Sequence, residues 1–157
     1  MAVLVEMQSM VLDTAREWTR ERMPVSAFRA LRDAGEPRGF DAASWAEMGE
    51  LGWGGVAIPE SHGGSGLGYL TLGLIVEQTG RTLAASPLAI SAVAADALVR
   101  AGSDAVRETW LPRLLSGEAV GSLAIDEGAR HAPLAIATTA MRTGDGWRLN
   151  GTKRFVA

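Results

Sequence analysis

The hydrophobic pattern of this chain changes its period once, at Gly117, and this change limits the possible folds more than any other feature of the sequence. Before Gly117, apolar residues recur three and four positions apart, which is the spacing of amphipathic helices. After it come short apolar runs separated by Gly144–Gly146 and Asn150–Gly151, which are typical of hairpin turns. Helices followed by strands, without βαβ alternation, predict an α+β chain made of separate layers or domains.

The first part of the chain predicts an all-α bundle of six helices. Pro24 ends the first of them, and the last ends or bends near Pro112. The third opens with Ser44–Glu47, which has the Ser-x-x-Glu form of a capping box with Ser44 as the cap. A glycine-rich loop is expected at 53–68. The predicted helices lie at residues 4–23, 25–34, 44–51, 69–83, 87–100 and 104–115.

The second part predicts short strands at residues 120–125, 134–142, 147–149 and 153–156. The last run begins at Lys153, and the sequence ends at Ala157. A small meander of this kind leaves an open edge and an uncovered apolar face, and it is only marginally stable alone. We therefore expect a helical domain at residues 1–117, followed at 118–157 by the incomplete start of a β-barrel or sandwich domain, with more chain after it.

Composition and charge exclude several classes of function. The formal net charge of −3 gives no electrostatic footprint for nucleic acid. The chain contains no cysteine, so disulfides, thiolate zinc sites and thiol catalysis are excluded. The longest apolar run, Leu88–Val99, is interrupted by Ser91 and Asp96 and is shorter than the roughly 18 residues that a membrane helix needs. We expect a cytoplasmic protein without a membrane span.

No complete catalytic or metal-binding constellation is visible in the sequence. His62 and His131 have no His, Cys or acidic partner at the spacing of metal ligands, so we expect no metal site. Asp126 and Glu127 form an adjacent carboxylate pair, but neighbours on a strand point to opposite faces and do not converge as acid and base. The loop Pro59–Gly66 could hold an anion before the next helix, and a structural turn is the interpretation that its sequence favours.

Five strings, taken in order, resemble segments of the acyl-CoA dehydrogenase family and together cover nearly the whole chain. Ile58–Gly66 is similar to the family's Pro-Glu-x-x-Gly-Gly-x-Gly loop, and Trp147–Val156 is similar to its Leu-Asn-Gly-x-Lys-x-Trp-Ile strand. Between them, Glu77–Arg81, Ala101–Asp104 and Trp110–Glu118 resemble the run into the family's β domain. The resemblance implies an N-terminal helical domain, a middle β domain and a C-terminal four-helix domain.

The resemblance also implies a chemistry. Members of the family bind FAD, usually assemble as dimers or tetramers, and remove hydrogens from the α and β carbons of an acyl-CoA thioester. A carboxylate abstracts the α proton while the β hydride moves to flavin N5. That carboxylate lies in the C-terminal domain, so no catalytic residue is expected within this chain. The residues of this chain would position the reactants and tune the flavin.

Matching by position implies which residues line the two ligands. The six that would line the flavin are Leu123, Ile125, Asp126, Phe155, Val156 and Ala157. The three that would floor the acyl pocket are Ala85, Ala89 and Val93. All three are small, so either the pocket is wide and suits a bulky or branched acyl group, or these residues serve ordinary helix packing.

The segment Asp126–Pro133 departs from the family's Thr-Glu-Pro-x-x-Gly-Ser-Asp pattern. Asp126 replaces a hydroxyl near flavin N5, where an ionised carboxylate would oppose the negative charge of reduced flavin at a cost on the order of a few kcal/mol. Three outcomes are open: its pKa rises, the flavin becomes harder to reduce, or the side chain turns away. The Gly-Ser-Asp run is absent, Arg130 could substitute for its phosphate contacts, and Ala157 lacks the family's hydroxyl.

The leading hypothesis is the N-terminal part of an FAD-dependent acyl-CoA dehydrogenase, a flavoprotein oxidoreductase of lipid metabolism. Its partners would be an acyl-CoA substrate and an electron-transfer acceptor, and it would assemble with itself or with a related subunit. Two alternatives keep the fold. One is a non-catalytic partner subunit of a heteromeric acyl-CoA dehydrogenase, and the other is a flavin monooxygenase.

Overall fold

The computed structural model describes residues 5–157, which form two compact units divided after Gly121. The described residues of the first unit contain six α-helices, as predicted. Leu4, at which the first predicted helix begins, lies outside the described residues. The second unit holds one antiparallel pair of strands. The elements are α1 (Glu6–Arg22), α2 (Val25–Ala34), α3 (Ala42–Glu50), α4 (Gly68–Arg81), α5 (Leu88–Ala101), α6 (Asp104–Leu115), β1 (Thr139–Thr143) and β2 (Gly146–Asn150). This arrangement confirms the α+β class.

The ends of α2 coincide with the prediction because local signals fix both of them. The helix begins directly after Pro24, which has no backbone N–H and so cannot make the hydrogen bond of a residue inside a helix. It ends before Gly35, which has a φ of 65°. Glycine adopts this left-handed conformation without the steric cost of a Cβ, and the Gly35 amide donates to the Arg32 carbonyl at 3.1 Å. Among residues 5–157, none of the helices combines the length and apolar character needed to cross a membrane.

The start of α3 differs from the prediction. The helix begins at Ala42, and its N-cap residue is Asp41 rather than Ser44. Oδ2 of Asp41 accepts a hydrogen bond from the Ser44 backbone amide at 2.7 Å, and this bond is the main cause that lowers the pKa of Asp41 below its usual value. The carboxylate is an ionised acceptor and therefore caps the free amide of the first turn, which places Ser44 inside the helix.

We expect Asp41→Ala to reduce the free energy of unfolding by about 1 kcal/mol, because an amide of the first turn of α3 loses its acceptor. Ser44→Ala, at the predicted cap, should change it by less than about 0.5 kcal/mol. Urea unfolding followed by circular dichroism measures both. Folding lowers the pKa of Asp41. The carboxylate therefore contributes to the free energy of unfolding above the unfolded pKa of 3.8, and this contribution is lost as the pH falls from 3.8 through the lower folded pKa. Equal losses in the two variants at neutral pH would contradict this cap assignment.

The core of the helical unit lies where α1 packs on α4 and where α3 meets the turn at Trp53. The rings of Trp18 and Trp53 meet edge to face, with centroids 5.1 Å apart. The Trp18 indole N–H donates to Glu47 Oε2 at 2.9 Å, which satisfies its polar atom beside the core. The buried residues of this cluster are Ala15, Met23, Trp45, Met48, Trp53, Val56, Ile75 and Leu88. These contacts fix the helices relative to one another.

In the second unit, β1 and β2 form an antiparallel hairpin whose turn lies at Gly144 and Asp145, as predicted. The second predicted turn, Asn150–Gly151, is wrong, because Asn150 is the last residue of β2 and pairs with Thr139. Gly151 serves packing instead. A Cβ at this position would lie 2.2 Å from the Thr138 hydroxyl oxygen.

Two of the predicted strands are wrong. Residues 120–125 and 153–156 are not strands in the structure. One backbone hydrogen bond, from Arg154 N to Asp126 O at 2.7 Å, connects the two regions within the described chain, and one bond does not make a ladder. The β-like sequence pattern therefore marks irregular segments, and two of the hydrogen bonds between them come from side chains.

β1 is shorter than the predicted strand at 134–142 and begins at Thr139. The cause is the carboxylate of Glu127, which accepts hydrogen bonds from the backbone amides of Ala137 and Thr138. Amides that donate to a side chain are not available to a neighbouring strand. Residues 137 and 138 therefore stay outside the hairpin. Before them the chain makes a turn, in which the Ala135 amide donates to the Ala132 carbonyl at 2.9 Å.

Candidate functional site

The glycine-rich loop Pro59–Gly66 is a structural turn, as its sequence favours, and it contains the 3-10 turn Glu60–His62. Three amides near its end donate to nearby carbonyls: Gly64 to Pro59 at 3.2 Å, Ser65 to Gly55 at 3.0 Å and Gly66 to Ile58 at 2.9 Å. The amide of Leu67, which follows the loop, donates to Val56 at 2.9 Å. A Cβ on Gly64 would lie 2.1 Å from the Ile58 carbonyl oxygen, so only glycine fits there. Because these amides are used internally, the loop does not offer them to an anion.

The residues predicted to floor the acyl pocket separate into two groups. Ala89 and Val93 lie four positions apart on one face of α5, where both are exposed and Val93 is 50% exposed. Ala85 precedes α5, is half-buried and lines a cleft of about 360 Å³. Ala89 and Val93 do not line this cleft. The structure therefore brings two of the three together, and their role stays a prediction.

The cleft beside Ala85 has a largely apolar wall. Phe28 and Leu31 of α2 contribute to it, and α2 has no fully buried residue of its own. Arg22 also lines the cleft, but its guanidinium pairs with Glu47 at 3.3 Å. The volume lies within the usual range for small-ligand sites, so this space can accept an apolar group.

The two segments predicted to line the flavin lie side by side in the second unit. Three hydrogen bonds join them: Arg154 N to Asp126 O at 2.7 Å, Lys153 Nζ to Ile125 O at 3.0 Å, and the Ser122 hydroxyl to the Ala157 carbonyl. Residues 123–126 and 155–157 are far apart in sequence, and no sheet pairing relates them. The structure nevertheless brings the six residues into one region.

The surface of this region fits a flat ring with an apolar face and a polar edge. Ile125, Phe155 and Val156 are 42%, 78% and 48% exposed, so their apolar side chains are available for contact. The N–H groups of residues 123–127 donate to no backbone carbonyl within the described chain. That such amides face a flavin pyrimidine ring is what the resemblance implies, and it stays a prediction. Apolar contact and free amides together fit the isoalloxazine of FAD.

The backbone at Phe155 is strained. Its φ is 53°, a left-handed value that costs a non-glycine residue about 1–3 kcal/mol. Such a conformation persists only where flanking contacts hold it. Here Lys153 and Arg154 are bonded on one side of Phe155, and Ala157 is bonded on the other. Leu83 has a similar φ of 56° and is assigned to no ligand, so the role of Phe155 stays a prediction.

The Asp126 side chain is held by the turn that follows it. Its Oδ2 lies 3.0 Å from His131 Nδ1, and its Oδ1 accepts from the Ala132 amide at 2.9 Å. The hydrogen bond with His131, followed by the bond from Ala132, lowers the pKa of Asp126 below its usual value. The three open outcomes concern this side chain beside reduced flavin, and which of them holds stays a prediction. The carboxylate stays ionised, and both of its oxygens are engaged.

Sequence reasoning missed the most heavily bonded carboxylate of the second unit, that of Glu127. It accepts from the Ala137 amide at 2.6 Å and from the Thr138 amide and hydroxyl at 3.1 and 2.5 Å, and it pairs with Lys153 Nζ at 2.8 Å. These contacts, with the Lys153 bond first, lower the pKa of Glu127 to about 2. As predicted, Glu127 and Asp126 face different partners and do not converge.

A signal for this network was present in the sequence. Glu127 matches the Glu of the family's Thr-Glu-Pro pattern, and Lys153 matches the Lys of its Leu-Asn-Gly-x-Lys string. Lys153 is also the only lysine in the chain, in which arginine is otherwise the basic residue. Two motif residues of opposite charge are candidates for an ion pair, but spacing alone does not reveal that they meet.

The fold defines the class of protein: a unit of six α-helices is followed along the chain by a unit with one β hairpin, in which the segments before and after the hairpin are joined by hydrogen bonds. The family model described as "Acyl-CoA dehydrogenase, N-terminal domain" matches residues 5–118. The chain belongs to the acyl-CoA dehydrogenase family.

Curated and solved relatives agree with this assignment. Mitochondrial isovaleryl-CoA dehydrogenase from Pongo abelii is 37% identical over 71% of the chain. A variant of the Tcur3481-Tcur3483 steroid ACAD is 34% identical over 96% of the chain, with a TM-score of 0.83. The ChsE4-ChsE5 complex from Mycobacterium tuberculosis is 30% identical over 96%, with a TM-score of 0.80. An acyl-CoA dehydrogenase complexed with FAD from Bacillus anthracis is 26% identical over 98%, with a TM-score of 0.78.

The chain spans only part of each of these relatives. It covers 27% of the isovaleryl-CoA dehydrogenase, 41% of the steroid ACAD chain and 40% of the ChsE4-ChsE5 chain. The similarity therefore concerns the helical domain and the beginning of the β domain. Activity, substrate and partners of a whole enzyme are matters for proposal.

Proposed function

We propose that this chain is the N-terminal part of an FAD-dependent acyl-CoA dehydrogenase, with the helical domain at residues 1–117 and the start of the β domain at 118–157. The observation that carries the proposal is the side-by-side placement of residues 123–126 and 155–157. Each segment is assigned to the flavin by resemblance alone, and their adjacency is an independent result. Similarity to a family member complexed with FAD supports the same cofactor.

In this proposal, FAD supplies the acceptor for the hydride that leaves the acyl-CoA thioester. Ile125, Phe155 and Val156 pack against the ring and exclude water from the face that they cover. The free amides of residues 123–127 orient the polar edge. The carboxylate that takes the α proton is not among residues 1–157, so the share of this chain is orientation, which lowers the barrier by holding the reactants in place.

The acyl group of the proposed substrate is bulky or branched. Ala89 and Val93 present short side chains on an exposed face of α5, which leaves room beside that helix. The similarity to a steroid ACAD points in the same direction. Comparing kcat/KM for straight-chain and polycyclic acyl-CoA esters tests this choice, and a clear preference for short straight chains would contradict it.

The full-length protein should be purified with bound FAD and should show the absorption bands of oxidised flavin. Phe155→Ala should weaken FAD binding by about tenfold, because an aromatic contact with the ring is lost. Trp147→Ala is the matched control, since Trp147 is also a largely exposed aromatic residue, at 66% against 78% for Phe155, and is not assigned to the flavin. Wild-type protein that lacks flavin bands and regains none with added FAD would overturn the proposal.

A second candidate is a non-catalytic partner subunit of a heteromeric acyl-CoA dehydrogenase. The observation that favours it is the ionised Asp126 at a position assigned to flavin N5, where a negative charge opposes the reduced cofactor. The similarity to the ChsE4-ChsE5 complex supports the same idea. The two candidates differ in one measurement. A flavin-loaded homo-oligomer that dehydrogenates an acyl-CoA unaided favours the first, and FAD binding only after co-expression with a related subunit favours the second.

A further inference from the structure

We propose that Glu127, Thr138 and Lys153 form a clamp that positions the two flavin-lining segments, and that breaking the clamp weakens FAD binding while the helical domain stays folded. The identity of the ligand rests on the proposed function. The three residues are positioning residues, because the contacts that define the clamp are made with the chain itself. Their side chains hold the neighbours that would touch the ring.

Lys153 is the link between the two segments. Its ammonium lies 2.8 Å from Glu127 Oε1 and donates to the Ile125 carbonyl at 3.0 Å. A single cation therefore ties the segment that carries Phe155 to two points of the segment that carries Ile125. The side chain of Lys153 is 25% exposed and that of Glu127 is 13% exposed, so solvent screens this pair less than an ordinary surface pair.

Glu127 extends the clamp to a third segment. The amide of Ala137 and both the amide and the hydroxyl of Thr138 donate to its carboxylate. With Lys153, four donors converge on two oxygens. A carboxylate can accept all of them, whereas the amide of glutamine would turn an NH₂ group toward another donor. Glu127 therefore fixes the residues just before β1 to both flavin-lining segments.

Gly151 allows these segments to come together. It follows β2 and passes so close to Thr138 that a Cβ would lie 2.2 Å from the hydroxyl oxygen and 2.7 Å from its Cβ. Only glycine permits this approach, which brings Lys153 to the Glu127 carboxylate two residues later. The glycine of the Asn150–Gly151 string thus serves the clamp rather than a turn.

The alignment of the two segments depends on the clamp because the backbone contributes little to it. The Arg154 amide makes the one backbone–backbone bond between these segments within the described residues. The left-handed conformation of Phe155 follows directly after Lys153 and Arg154. If the clamp opened, the bonds from the Arg154 amide and the Ser122 hydroxyl would remain, and Phe155 and Ile125 would be held less firmly in the positions that fit the ring.

The test uses the full-length protein. We expect Glu127→Gln and Lys153→Met to weaken FAD binding by about tenfold or more, because each leaves partly buried partners unsatisfied. Lys153→Arg should retain most of the affinity, since a guanidinium can donate both to a carbonyl and to a carboxylate. Thr138→Val removes one donor at nearly constant volume and should weaken binding by about threefold to fivefold. FAD affinity is measured by titration of the apoprotein, and the flavin midpoint potential is measured on the reloaded protein.

Glu118→Gln is the matched control, because it breaks an ion pair of 2.7 Å with Arg113 in the first unit, where the Glu118 side chain is 61% exposed. It should leave FAD affinity and potential unchanged, and circular dichroism should show intact helices in every variant. Clamp variants with wild-type affinity and potential would overturn the clamp alone. Wild-type protein that binds no FAD would overturn the proposed function together with it. Should Glu127→Gln fail to accumulate, Thr138→Val and Lys153→Met decide the outcome.

Discussion

Replacing Gly49 by alanine should lower the free energy of unfolding by about 3 kcal/mol, because the new methyl group has no space. A Cβ at this position would lie 2.0 Å from the carbonyl oxygen of Ser116 and 2.6 Å from its carbonyl carbon. Both are backbone atoms, which cannot rotate aside as the end of a flexible side chain would. The whole connection after α6 must move away from α3 to accommodate the change.

Gly80→Ala is the control for this prediction. Gly80 is the last-but-one residue of α4, as Gly49 is of α3, but nothing lies within 4 Å of its Cβ position. Alanine restricts the unfolded chain more than glycine and favours the helix, so this variant should be more stable by about 0.5 kcal/mol. Urea unfolding followed by circular dichroism measures both variants. Equal effects at the two positions would show that Ser116 does not pack against α3 as described.

Trp53→Ala should reduce the free energy of unfolding by about 3–5 kcal/mol, the usual cost of removing a large aromatic side chain from a core. Trp53 is 2% exposed and meets the Trp18 ring edge to face at 5.1 Å. It also begins the 3-10 turn that follows α3. Its removal leaves a cavity where α1, α3 and this turn meet, and the surrounding helices can collapse only partly into that cavity.

Trp110→Ala removes the same side chain from the surface of the same unit and serves as the control. Trp110 is 44% exposed and has the Arg113 guanidinium 4.8 Å from its ring centroid, a contact worth about 0.5–1 kcal/mol at an exposed site. We therefore expect a loss of at most about 1 kcal/mol. Thermal and urea unfolding compare the two variants. A similar loss at both positions would contradict the assignment of Trp53 to the core.

Most of the helical unit could be predicted from the sequence because its signals are local. Pro24 and Gly35 fix α2 through properties of their own backbones. The error at α3 has a local cause as well. The Ser-x-x-Glu pattern was assigned to the cap at Ser44, although Asp41 is also a good cap residue and its carboxylate is the group that bonds to the Ser44 amide. Choosing between two nearby caps requires the backbone geometry.

The β unit was less predictable because its contacts join distant residues. Short apolar runs at 120–125 and 153–156 predicted strands. Strand formation requires a ladder of backbone bonds to a neighbour, and these segments are joined by one backbone bond and by side chains. The resemblance assigns both segments to the flavin, and that role stays a prediction. It did not predict that Glu127 would connect Lys153 with Thr138. That junction depends on three parts of the chain meeting at once.

The sequence by itself determined the order of helices before strands, both ends of α2 and α6, the hairpin turn at Gly144 and the family to which the chain belongs. These features depend on periodicity, on the backbones of proline and glycine, and on the order of motifs, all of which can be observed in the sequence itself. The tertiary structure alone decided that residues 123–126 lie beside 155–157 and that Glu127 and Lys153 hold them together. An ion pair between residues so far apart in sequence exists only after folding has closed the loop between them. Patterns of neighbouring residues do not predict that closure.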